Sequence, residues 1–527
     1  MHYQSIAFLG FALIVLAVYY LAGKKRQRTV LMIGNLAFYG LCGPQYLPFL
    51  AATALASFYS ARAMGRVYRD ADAQMKACTD MPQKKQLREG AKKRAKRALL
   101  WGMLIPIALL VACKYTAFLL KNLNLVLALF RLPRIAVFRL ILPVGISFYT
   151  FMALSYVLDV YWRRYEAEES LLTYAVYLSY FPHVVQGPID RFREFADQLA
   201  GGVDFDFRNF AFGAELTLWG FFKKLVVADR LGMIVDGVFG SWRGMGSLSI
   251  VAAVALYSIQ IYADFSGCID IVTGVSEMLG IRLRRNFNHP YFSRSMAEFW
   301  RRWHISLQEW FKDYVYFPVS ASSMMRRVKK YYRGKGKPRA AERFATCFPI
   351  LVVWLVTGIW HGAAWKFVAW GLFHAAVLIA STLLEPTFNA VNQRLHIRTE
   401  KPAWHLFQMA RTYFICCVGR VFFRAESLRE ALAMLRAIVS TSPAPRQMLE
   451  CLIEFSTSWS ELVVTLFTVV VLCVVDAFQE KTGLREALDK RSTALRWALI
   501  FACLFFVLIF GAYGPEFGAT GFIYEKF

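Results

Sequence analysis

Apolar stretches long enough to cross a bilayer recur along the chain, at 6–22, 98–120, 137–158, 247–263, 344–360, 365–384, 461–478 and 494–512. Shorter or interrupted ones lie near 29–43, 46–61, 171–187, 211–228 and 405–423. Together they predict an all-α polytopic membrane protein of about 11–13 transmembrane and re-entrant helices. The first run follows Met1 without a basic n-region and ends in charge instead of a small-residue cleavage site, so it is expected to stay as a helix. No internal repeat, low-complexity tract or long linker divides the chain, which predicts one membrane-embedded domain over 1–527.

The polar positions inside this pattern are unevenly spread. Residues 143–191, 257–318 and 354–374 are dense in Trp, Tyr, Arg, His, Asp, Gly and Pro, and chemistry is expected there. Pro182, Pro188, Pro290 and Pro318 interrupt apolar or aromatic stretches. Broken backbone at membrane depth is tolerated only where protein covers it or it lines a wet cavity, so a cavity among the helices is predicted. Residues 298–318 are too polar to span and too aromatic for a solvated loop, and predict a helix lying at the interface or dipping inward. On that helix Trp300, Trp303, Leu307 and Trp310 share one spacing, while Arg301, Arg302, His304, Gln308 and Lys312 take other faces. The tryptophans fit an aromatic belt at the headgroups as well as a functional surface.

Composition agrees with a lipid-immersed chain: 57% of the 527 residues are hydrophobic and 16% aromatic. The formal charge of +26 would suggest nucleic acid in a soluble protein, but it is concentrated. Residues 62–97 hold twelve Lys or Arg against four acids, and 326–343 hold nine against one. Such clusters flanking membrane helices mark cytoplasmic loops held by the anionic inner leaflet, so membrane lipid and not nucleic acid is the expected partner. The same rule puts Lys24, Lys25, Arg26 and Arg28 inside and the N-terminus outside. The ten cysteines show no C-x-x-C pair and no metal-ligand spacing with histidine, which predicts free thiols and no metal.

Of eight histidines, His304, His361 and His374 fall in or beside the polar-rich membrane core, with His183 a fourth candidate. Ionisable residues there are costly and imply a cavity or a partner. His361 follows an apolar run and sits in Gly358-Ile359-Trp360-His361-Gly362, whose glycines free the backbone to bend. A neutral imidazole suits a hydroxyl attacking a thioester, although a core histidine bonded to a carbonyl fits the same residues. Asp264, in Gln260–Gly267, fits either orientation of a histidine or an ion pair with Arg301 or Arg302. No phosphate loop and no G-x-S-x-G nucleophile elbow is present.

Five stretches, Pro143–Phe151, Phe181–Ile189, Gln260–Gly267, Asn286–Pro318 and Gly358–Gly371, resemble in order and spacing the membrane-bound O-acyltransferase family, in its bacterial alginate O-acetylation branch. The match centres on 143–374, with weaker similarity at Val421-Phe422-Phe423-Arg424-Ala425 and Phe522-Ile523-Tyr524. The resemblance implies a ring of tilted helices enclosing a tunnel, with His361 matching the family's catalytic histidine and His304 a second functional one. It makes Trp360, Gly362, Trp300, Trp303, Arg301, Arg302, Asp264, Gln186, Asn286 and Ser306 candidate substrate-binding residues.

By the same resemblance, acyl groups come from a cytoplasmic thioester, acetyl coenzyme A or an acylated carrier protein, with no bound cofactor. They serve O-acetylation of an extracellular or cell-envelope polysaccharide, from the bacterial inner membrane and with an extracytoplasmic acyltransferase partner. The chain departs from the family at Pro318-Val319-Ser320-Ala321, at Ala375 after His374, and at its Glu525-Lys526-Phe527 end. D-alanyl transfer to teichoic acid is the nearest alternative; the region from about residue 400 favours the alginate-type branch. A transporter or flippase would also use membrane histidines and aspartates, but usually shows paired halves, and none is visible. A structural scaffold is a third class.

Overall fold

The computed structural model describes residues 1–482, 490–513 and 522. Among these the chain is helical, and the one β-type pairing is an isolated antiparallel bridge, Phe287 to Trp303. Helix starts follow the sequence closely. Ser295/Glu298, Ser427/Glu430 and Ser458/Glu461 each have the S-x-x-E spacing, and each serine accepts from the backbone N–H of its glutamate. Seven helices among the described residues are long and apolar enough to cross a membrane, and Ile6–Leu21 and Ile146–Tyr161 are shorter apolar ones.

The chain packs as two compact units. The first holds residues 1–214 and 272–284. Its helices are α1 (Ile6–Leu21), α2 (Gln27–Cys42), α3 (Leu47–Ala77), α4 (Met81–Leu129), α5 (Ile146–Tyr161), α6 (Leu171–Ser179) and α7 (Phe192–Leu199). α3 and α4 pack closely because Gly102 leaves room for Ser60, whose hydroxyl donates to the Ala98 carbonyl at 2.6 Å. The basic stretch 62–97 is therefore mostly the ends of these two helices and not a loop. Two expected spans are shorter than the apolar pattern suggested. The 137–158 run becomes helical only at Ile146, because Pro143 and the left-handed Gly145 (φ 74°) precede it; a side chain at 145 would run into the Val184 carbonyl. The 171–187 run ends at Ser179, since Pro182 disfavours helix just before it. The non-helical backbone after it, through residue 191, is buried in protein, as broken backbone at membrane depth requires.

The second unit holds residues 215–271 and 285–527. α8 (Phe207–Phe221) runs into a π-helical stretch, Phe222–Ala228, followed by α9 (Asp229–Ser241) and α10 (Ser247–Met278). α8 and α10 cross where Gly220 and Gly267 face each other's backbone. Beyond them lie α11 (Met296–Arg302), α12 (Ile305–Phe311), the π-turn Lys312–Tyr316, α13 (Phe317–Ser320) and α14 (Ser323–Gly334). The long helices α15 (Pro338–His361), α16 (Trp365–Arg394) and α17 (Pro402–Arg424) follow, then α18 (Leu428–Ser440), α19 (Pro445–Phe455), α20 (Trp459–Gln479) and α21 (Thr493–Phe510). The second basic cluster, 326–343, is likewise α14 and the start of α15. The single helix expected over 298–318 is broken at Trp303–His304, where His304 takes a left-handed backbone (φ 49°, ψ 51°). Of the closing Phe522-Ile523-Tyr524 motif only Phe522 is described; Ile523, Tyr524 and the Glu525-Lys526-Phe527 end lie outside the described residues.

Candidate active site

The glycines around His361 set its position. A side chain at Gly358 would run into the Phe367 carbonyl and one at Gly371 into the Trp354 carbonyl, so α15 and α16 touch backbone to backbone. This crossing puts His361, the last residue of α15, against Trp370 of α16, with ring centres 4.8 Å apart. Gly362 then leaves in an extended conformation; any side chain there would strike the Phe367 ring. Phe423 of α17 closes the other side of His361 at 5.4 Å, and the imidazole is 4% exposed. His374, one turn beyond Gly371, is enclosed by Trp300, Trp354 and Trp370 at 4.9–5.2 Å.

The break before α12 turns His304 inward. Asn288 N–H donates to the Arg302 carbonyl and Ile305 N–H to the Asn286 carbonyl, both at 2.9 Å, so residues 286–288 and 302–305 grip each other like a two-strand clasp. At its centre the Asn286 side-chain oxygen accepts from Ser306 N–H at 3.2 Å and from the Ser306 hydroxyl at 2.8 Å. It also lies 3.2 Å from His304 Nδ1. A backbone N–H needs an acceptor, which fixes the amide orientation; Nδ1 then donates, and Nε2 is the ring's acceptor. Burial pushes the His304 imidazole down to about 3, so it is neutral at working pH. Trp360 links the two histidines, 6.2 Å from His304 and 4.9 Å from His361.

Six candidates read from sequence thus belong to one cluster: His361, Trp360, His304, Asn286, Ser306 and Trp300, with Gly362 at its edge. Trp300 and Trp303 are buried against protein rings, not laid out as a surface belt. Arg301 is exposed, and Arg302 is bound by Glu298 and Glu480. The pairing of Asp264 with Arg301 or Arg302 does not form: Asp264 takes Lys224 at 2.8 Å, because the Gly220/Gly267 crossing brings the two helices together. Gln186 belongs to the first unit, buried, with neither amide atom hydrogen-bonded. His183, also in the first unit, has both ring nitrogens bonded, to Asp190 at 3.0 Å and to the Tyr177 carbonyl at 2.9 Å, and serves as a brace.

Sequence reasoning missed three features. Lys223 and Lys224 are buried in the π-stretch and bind Asp270 at 2.6 Å and Asp229 at 2.8 Å as well as Asp264. Arg420, 3% exposed within α17, lies 4.3 Å over the Trp303 ring. Asp476 of α20 accepts the Tyr262 hydroxyl at 2.7 Å. Each is a charge inside an apolar run, and that alone was the available signal.

The membrane-bound O-acyltransferase family model matches residues 168–333, a stretch that contains the His304 clasp and stops before Trp360 and His361. The protein named probable alginate O-acetylase AlgI of Pseudomonas putida is 30% identical over 442 residues, 84% of this chain and 80% of that one. The peptidoglycan O-acetyltransferase of Helicobacter pylori is 27% identical over 466 residues, covering 83% of this chain and 78% of the relative. The teichoic acid D-alanyltransferase of Bacillus subtilis is 26% identical over 243 residues, 46% of this chain and 59% of its own length.

Proposed function

This chain belongs to the membrane-bound O-acyltransferase family, as a multi-pass membrane O-acyltransferase, and on that premise we propose that it moves acetyl groups from a cytoplasmic thioester across the bacterial inner membrane for O-acetylation of an extracellular or envelope polysaccharide. The observation that carries this reading is the buried cluster in which Trp360 joins His361 to an uncharged His304. His361 acts as general base: it takes the acceptor hydroxyl proton as the oxygen attacks the thioester carbonyl. The carbon–sulfur bond breaks, an ester forms, and the proton passes from the imidazolium to the departing thiolate, so no net charge is left in the pocket.

His304, held by Asn286 and Ser306, positions the donor, while Trp300, Trp303, Gly362, Arg301, Arg302 and Asp264 contribute to the passage. Acetyl coenzyme A or an acylated carrier protein supplies the acyl group from the side of the basic helix ends. The N-terminus lies outside, and an extracytoplasmic acyltransferase partner completes delivery. The greater coverage of this chain by the O-acetylating relatives than by the D-alanyl one supports acetyl over D-alanyl transfer.

The test is ester-linked acetyl on envelope polysaccharide in cells with the intact protein, with His361→Ala at matched membrane abundance, and without the protein. Loss in both altered strains supports the reading. Full acetylation with His361→Ala removes His361 as base, and an acetyl level that ignores the protein altogether redirects the search to D-alanyl esters and then to transport.

A further inference from the structure

The clasp that carries His304 is strained. His304 (φ 49°) and His289 (φ 44°) both hold left-handed backbones, one at each end of the Phe287–Trp303 bridge. A non-glycine residue in that region is disfavoured and persists only where its surroundings over-determine it. Much of that determination comes from α20, far downstream in the sequence. Asp476 and Glu480 sit four residues apart, on one face of the helix end.

Each reaches a different strand of the clasp. Arg302, on the second strand, donates to both Glu480 oxygens at 2.7 and 2.8 Å, and its other amino group meets Glu298 at 2.8 Å. His289, which ends the first strand, has Nδ1 3.4 Å from Asp476 Oδ1. That is an ion-pair distance without hydrogen-bond alignment, so the directed bond to Asp476 is the one from Tyr262, at 2.7 Å. Tyr262 in turn packs on Phe287 and Trp303, the two bridge residues, at 5.8 and 6.1 Å. A carboxylate in an apolar helix is costly unless it is partnered. Asp476 is such a residue, 8% exposed, and its partners lead to the clasp.

We propose that Asp476 and Glu480 are positioning residues for acyl transfer: through His289, Tyr262 and Arg302 they clamp both strands that hold His304, so α20 sets the ring against Trp360. This rests on the reading of His304 as part of the machinery.

The experiment uses the full chain in cells and reads ester-linked acetyl formed per unit of membrane-inserted protein, for Asp476→Asn, Glu480→Gln, Glu480→Asp and His304→Gln, and for each of the first two combined with His304→Gln. The expected results are a fall of about ten- to hundredfold in Asp476→Asn and Glu480→Gln, partial recovery in Glu480→Asp, and little further loss when either is added to His304→Gln. Non-additivity is the signature of acting through the ring; general damage to the fold would multiply with the His304 effect. Glu480 is one-third exposed, so Glu480→Gln decides the matter if Asp476→Asn fails to accumulate. Wild-type rates in both carboxylate variants, or losses that multiply fully with His304→Gln, overturn the proposal while leaving the active-site reading intact. A wild-type rate in His304→Gln alone overturns the role given to His304, and the clamp's purpose with it.

Discussion

Two buried histidines, one in each unit, are held in opposite ways. His183 is bound on one nitrogen by the Asp190 carboxylate and on the other by the Tyr177 carbonyl, while the Tyr177 hydroxyl donates to the Asp190 carbonyl. Both nitrogens of that ring face acceptor oxygens of the protein. His304 is held by an uncharged amide that also gathers Ser306, and burial keeps it neutral. Burial and hydrogen bonding are common to both, so neither marks a functional histidine. What separates them is the partner's charge, a carboxylate for His183 and an amide for His304.

The largest effect should come from His361→Ala, a fall in ester acetyl of about 10²–10⁴-fold with membrane abundance unchanged, since general-base catalysis contributes that much. A sharper change is Asn286→Asp, which gives His304 a carboxylate partner of the kind His183 has. A negative neighbour favours the imidazolium and raises its pKa from about 3 toward neutrality. The acid-side fall in acetyl transfer should then begin at higher pH, or be steeper, than in the unaltered protein, measured as initial rate against pH. An unchanged profile would mean that the charge on His304 has no bearing on the reaction.

In the first unit, Asp190→Asn should lower the thermal midpoint or membrane abundance, on the order of 1–3 kcal/mol for a disturbed buried polar pair, and leave acetyl transfer per folded molecule unaltered. A loss of specific activity there would end the distinction between His183 as a brace and His304 as part of the machinery. The smallest effect concerns stability and pH. The folded-state value of His304 lies below the ordinary 6.5, so the neutral ring's contribution is complete above about 6.5 and is lost as pH falls from there toward 3. Melting curves of His304→Gln should accordingly be flatter across that interval than those of the unaltered chain.

Much of this was legible in the sequence, for physical reasons. Apolar length gave the long helices, whereas the clustered lysines and arginines, expected in loops, form the ends of α3 and α4, α14 and the start of α15, because both residue types favour helix. Gly358 and Gly362 around His361 were expected to free the backbone to bend; Gly362 does leave α15 in an extended conformation, while Gly358 instead allows the close crossing with α16. The break at His304 was not legible, because Trp300, Trp303, Leu307 and Trp310 keep helical spacing straight through it; Asn286 and the bridge overrule the local period. Nor could pattern alone choose Lys224 over Arg301 or Arg302 for Asp264. That choice depends on which helices meet at Gly220 and Gly267, a tertiary fact.

The 49 residues of α4 have one more consequence. At 1.5 Å per residue the helix is about 74 Å long, more than twice the hydrocarbon thickness of a bilayer. Its basic first third therefore reaches beyond the hydrocarbon as a mast, and α3, ending at Ala77 just before α4 begins at Met81, runs antiparallel beside it up to the tip. For imaging, such a mast is a landmark that breaks the near-featureless outline of a micelle-bound helical protein and reports which way up each particle lies.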